Sequence, residues 1–130
     1  MQIVMSVRDV EDLEVYRRAY RLSLEVHKAS LTFPKIEQHA LADQVRRASK
    51  SICGNLAEGL GKQSTSRSEF VRYVRIAMGS TDEMRVWSRN CLDLGNVDDE
   101  TYRRWTDEFR AIARTLQGLQ RARPDPASDI

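Results

Sequence analysis

The sequence predicts an all-α fold, an antiparallel up-down-up-down four-helix bundle. Three observations carry that reading. Apolar residues recur at spacings of three and four through four segments, the period of a helix face. Proline and glycine fall where those segments should stop: Pro34, Gly59 with Gly61, Gly95, and Pro124 with Pro126. β-branched residues are scattered and never alternate, so no strand is expected. Connections of a few residues then force each helix to return beside the last.

The first helix is expected over about 11–31. Leu13, Tyr16, Tyr20, Leu24, His27 and Leu31 share one face at about 100° per residue. Val15, Ala19, Leu22 and Val26 form a second stripe, roughly 130° around. A bundle helix needs only one such stripe. These four are therefore read as a structural or subunit-contact stripe, with a merely widened core face as the equal alternative.

The second helix is expected over about 38–60, with Leu41, Val45, Ala48, Ile52 and Leu56 as its core stripe. The third spans about 66–94, opened by a capping box of Ser66 and Glu69. Its core face reads Phe70, Tyr73, Val74, Ala77, Thr81, Met84, Ser88 and Cys91. Gly79 beside Ser80 in mid-helix costs about 1 kcal/mol relative to alanine, which points to a close neighbour or a bend. In the fourth helix Tyr102, Trp105, Phe109, Ile112, Leu116 and Leu119 follow a strict 3-4-3-4-3 spacing, the seam of near-parallel packing. Asp98 or Asp99 should cap its start. The bundle is assigned to 1–123, and 124–130 to a flexible tail.

At 130 residues the chain suits one domain with one core, and 41% hydrophobic content is unlike a disordered chain. No apolar run approaches the roughly 20 residues of a membrane span, and the opening residues make a poor signal peptide. The two cysteines, Cys53 and Cys91, sit inside helical patterns. They read as reduced thiols of a cytoplasmic protein, with a disulfide between them as the weaker alternative.

Net charge is only +2, but it is unevenly spread. Residues 35–75 carry eight basic and four acidic side chains, and residues 76–109 carry four basic and eight acidic. The basic pole is the second helix with the start of the third.

No catalytic constellation stands out, so an enzyme is not expected and neither is a cofactor. Gly61-Lys62 lacks the first glycine of a phosphate loop, is followed by Gln63, and closes a helix rather than opening one. His27 and His39 have no second ligand at helical spacing, so no metal is expected. Acidic residues of the last helix have basic partners four residues on, Asp99 with Arg103 and Glu100 with Arg104.

One pattern exceeds what solubility requires. Gln44, Arg47, Ser51, Asn55 and Glu58 lie within roughly a 100° arc bordering the second helix's core stripe. They read as a structural network pinning that helix to a neighbour. Arg46, Lys50, Lys62, Arg67, Arg72 and Arg75 remain as an exposed basic set able to contact phosphates, with an ordinary solvated face as the simpler alternative. No aromatic platform accompanies them, so binding would be led by shape and charge.

The same residues carry a family likeness. QVRRASKSICGNLAEGLGK at 44–62, FVRYVRIAMGSTDEM at 70–84 and DLEVYRRAYRLSLEVHKAS at 12–30 resemble the motifs of four-helix-bundle proteins encoded in intervening sequences of bacterial 23S ribosomal RNA genes. Tyr16 stands where that family more often has Trp. The resemblance implies a four-helix bundle. It also implies kinship with the accessory protein of diversity-generating retroelements, hence a ring-like homopentamer with nucleic acid and a reverse transcriptase as partners. Two expectations follow: a non-enzymatic oligomer that binds structured RNA or DNA through its basic surface, or a protein-interaction scaffold without nucleic acid.

Overall fold

The computed structural model describes residues 9–121, so the tail expected at 124–130 lies outside the described residues. Four long helices follow in order: α1 (Glu14–Ser30), α2 (Leu41–Lys62), α3 (Arg67–Asp93) and α4 (Asp99–Arg121). Short 3₁₀ turns at Val10–Asp12 and Lys35–Glu37 precede α1 and α2. The first turn takes up residues that periodicity assigns to α1, and α1 and α2 each begin about three residues later than expected. Among the described residues no helix is long and apolar enough to cross a membrane.

Cross-helix contacts give the directions. Arg18 meets Glu108 and Glu25 meets Arg104, so α1 and α4 run antiparallel. Ser30 meets Arg46 and His27 meets Lys50, which sets α1 against α2 in the same sense. Ser51 meets Ser80 while Gly59 abuts Tyr73, which does the same for α2 and α3. The third connection is a glycine-terminated turn. Gly95 adopts φ +77°, its N–H donates to Leu92 O at 3.0 Å, and Asn96 N–H donates to Cys91 O at 2.8 Å. Only glycine takes that backbone without strain, and the paired bonds satisfy the last carbonyls of α3.

Helix starts also follow side-chain chemistry. Ser66 Oγ accepts from Glu69 N–H at 3.2 Å, and Asp98 Oδ1 accepts from Thr101 N–H at 2.8 Å. Asp98 is therefore the cap of α4.

The core contains the expected faces of α2, α3 and α4. Trp105, Phe109, Ile112 and Leu116 are buried, as are Phe70, Val74, Ala77, Met84 and Cys91. Thr81 and Ser88 sit among them because their hydroxyls donate to Ala77 O and Met84 O one turn back.

Helix α1 corrects one expectation. The stripe Val15, Ala19, Leu22 and Val26 is not an outer contact face; all four residues are buried in the bundle core. The other stripe is divided: Leu13 and Tyr16 pack against the core, and its later apolar residues lie outside. Tyr20 is 48% exposed and Leu31 60%, and Leu24 is exposed beside them.

Two glycines also exchange roles. Gly59 does not end α2, which runs on to Lys62. It is the point where α2 and α3 touch, and a Cβ there would lie 2.9 Å from Tyr73 Cβ and 3.4 Å from Phe70 O. Gly79, expected to admit a neighbour, has open space around it.

Candidate nucleic-acid interface

The basic residues divide into two groups on α2. Arg46 and Lys50 lie on the seam with α1, whereas Lys62 lies about 18 Å further along the helix axis, at the turn into α3. Arg67, Arg72 and Arg75 follow that turn on α3.

Arg46 is the first correction at this site. It is half-buried rather than free on the surface. Its Nη1 donates to Ser30 Oγ at 2.7 Å and to Gln38 Oε1 at 3.3 Å, and its Nη2 donates to Gln38 O at 2.9 Å. Gln38 in turn donates from Nε2 to Ser30 O at 2.9 Å and Phe33 O at 3.1 Å. Together they satisfy carbonyls left open where α1 ends. Arg46 is thus a clamp between α1, the following turn and α2.

One turn along, exposed Lys50 donates from Nζ to His27 Nδ1 at 2.8 Å. Lys50 chiefly, then burial and Arg46, hold the His27 imidazole below its usual range. Burial, with Arg46 beside it, lowers Lys50 as well. Sequence reading placed His27 at a core or interface position and missed this pairing, because a contact between helices leaves no mark in the spacing along either one.

At the other end, Arg72 pairs with Glu69 at 3.3 Å and lies 4.6 Å over the Tyr73 ring. Arg75 is exposed, and Lys62 and Arg67 are half-buried. Lys62 and Arg75 have no carboxylate partner among the described residues.

The polar ladder of α2 is structural only in its middle. Ser51 and Ser80 hydroxyls lie 2.8 Å apart, and Asn55 Nδ2 donates to Ser51 O at 2.8 Å, fastening α2 to α3. Gln44, Arg47 and Glu58 are exposed, contrary to the pinning role expected of them. Arg47 pairs with Asp43 at 2.9 Å on the same helix, an exposed contact of small energetic weight. Arg104 pairs across the bundle with Glu25, where the spacing suggested Glu100.

The two cysteines are free and buried. Burial pushes the Cys53 thiol up to about 11 and Cys91 up to about 12, so neither is a ready thiolate near neutrality. Three surface depressions, on α3, on α1 and between α1 and α4, are lined by none of the basic residues of these two groups.

Comparison with known proteins places this arrangement. Residues 11–118 match the family model described as 23S rRNA-intervening sequence protein. A crystal structure of a protein with unknown function from the S23 ribosomal protein family of Bacteroides thetaiotaomicron VPI-5482 superposes with a TM-score of 0.72. The two chains share 18% identity, over 83% of this chain and 99% of that one, a likeness of fold alone. Among curated proteins there is no significant match.

Proposed function

The chain belongs to the 23S rRNA-intervening sequence protein family, and on that premise we propose that it works without catalysis, as an oligomeric bundle that binds structured RNA or DNA through basic side chains of α2 and early α3. The observation that supports this most is an imbalance of pairing. Lys50, Lys62 and Arg75 have no carboxylate partner among the described residues. Of the eight carboxylates at 76–109, four are in ion pairs: Asp82–Arg85, Asp93–Arg89, Asp99–Arg103 and Glu108–Arg18. Cations without a carboxylate partner are what a phosphate backbone neutralises, with release of its counterions.

Fluorescence anisotropy with a hairpin RNA tests the reading. The triple variant K50E/K62E/R75E should bind more than about tenfold more weakly, and its log affinity should depend less steeply on log salt, by about two to three units of slope. Unchanged affinity and slope would overturn the proposal. Arg46 is left out of the variant because its loss would unfasten α1 from α2.

Self-association rests on a different surface. Tyr20, Leu24 and Leu31 are exposed apolar residues of one α1 stripe, with His27 between the two leucines, and Ile36 in the following turn is 84% exposed. Among the described residues nothing covers these side chains, and burying them removes apolar area from water. Light scattering on the wild type should report a multimer at micromolar concentration, and L24E/L31E should shift it toward monomer. A monomeric wild type would refute self-association. The same face is the one favouring a protein partner, and a wild-type monomer that still captured a protein after nuclease treatment would support that second reading.

A further inference from the structure

Eight arginines of the described residues each have a carboxylate partner. The seam between α1 and α2 breaks that habit. Arg46 is held entirely by neutral acceptors, Ser30 Oγ, Gln38 Oε1 and Gln38 O. Lys50 is held by a histidine nitrogen at 2.8 Å. The nearest acidic side chains along the chain are engaged elsewhere: Glu25 with Arg104 and Trp105, Asp43 with Arg47, and Glu37 with the N–H of Leu41. Three basic groups from two helices therefore meet with no carboxylate paired to them among the described residues.

We propose that His27 and Lys50, backed by Arg46, form a phosphate-binding site for one backbone phosphate of a bound nucleic acid, and that His27 takes up a proton as the phosphate docks. The inference rests on the nucleic-acid reading above and deepens it. In the free protein a Lys50 N–H donates to His27 Nδ1, which requires that nitrogen to be unprotonated. The described charged groups that act on the imidazole are Lys50 and Arg46, both cationic and both on α2. Together they disfavour the imidazolium. A phosphate oxygen reverses that balance. Its charge stabilises a proton on Nδ1, drawn from solvent, and Nδ1–H and Lys50 Nζ–H then both donate to phosphate oxygens. No bond between heavy atoms changes; up to one proton is taken up from solvent for each phosphate bound, between the free and the bound midpoints of His27. Since the free imidazole is held low and the bound one is raised, affinity increases as pH falls through the bound value and levels off below the free one.

The test is an NMR titration of the full chain between about pH 5 and pH 8, the range in which imidazoles change charge. His39, exposed and outside the cluster, serves as the internal reference. A saturating hairpin RNA should raise the His27 midpoint by about one unit or more, with a smaller change at His39. In K50Q the free His27 midpoint should rise and the RNA-induced shift should shrink. RNA binding that leaves His27 unmoved, or moves it no more than His39, would overturn the site and leave nucleic-acid binding intact. Absence of RNA binding would overturn both. Inorganic phosphate that shifts His27 as far as the RNA does would mark a small-anion site and overturn its assignment to nucleic acid.

Discussion

Trp105→Ala is expected to lower the unfolding free energy by about 3–5 kcal/mol, the range for truncating a fully buried large aromatic. Trp105 is completely inaccessible to solvent and heads the largest side chains of the core. Its removal deletes apolar contact on α4 and leaves a cavity that close-packed neighbours fill only in part. A second loss compounds the first. Trp105 Nε1 donates to Glu25 Oε2 at 3.1 Å, and the same carboxylate holds Arg104, so the indole helps fix the α1–α4 seam. Trp105→Phe separates the two effects. It retains much of the volume and gives up the donor, for an expected cost of about 1–3 kcal/mol. Urea unfolding at one fixed protein concentration measures both. A cost below about 1 kcal/mol for the alanine variant would contradict the burial described for this side chain.

The second large effect is a contrast between two glycines of one helix. Gly59→Ala puts a methyl carbon 2.9 Å from Tyr73 Cβ and 3.4 Å from a backbone oxygen of Phe70. Neither obstacle is the tip of a flexible side chain, so α2 and α3 must move apart. Overpacking of this kind costs about 1–3 kcal/mol, set against a gain of about 1 kcal/mol in helix propensity. The net expectation is destabilisation. Gly54→Ala enjoys the same propensity gain and meets nothing within 4 Å, so it should stabilise by up to about 1 kcal/mol. Thermal unfolding of the two variants side by side should move in opposite directions. A stabilised Gly59→Ala protein would rule out the close approach of α2 and α3.

What could be read from the sequence was local. The heptad seam of α4, the Ser66 and Asp98 caps and the glycine at Gly95 depend on residues within a turn or two of one another. Each appears in the structure where the spacing puts it. The errors share a cause as well. Periodicity shows that α1 has two apolar faces, but not which one meets the other helices. That choice depends on how α2 and α4 are placed around it. Arg46 and Arg47 are adjacent and chemically identical, yet Arg46 turns in to the end of α1 and Arg47 stays out with Asp43. About 100° of helix rotation separates those two fates. Glu25 with Arg104 and His27 with Lys50 are likewise products of register between helices.

The antiparallel order has a further electrostatic consequence. Each helix carries a partial positive charge at its start and a partial negative charge at its end. Reversing every second helix brings two starts and two ends to each pole of the bundle, so the backbone contributions cancel. The long-range field is therefore written by side chains alone. With a net charge of +2 it is weak, and physiological salt damps it within about 8 Å of the surface. One chain can attract a polyanion only at close range. Copies set side by side would overlap their damped fields, and the pull on a long phosphate chain would then grow with the number of copies rather than with the charge of any one.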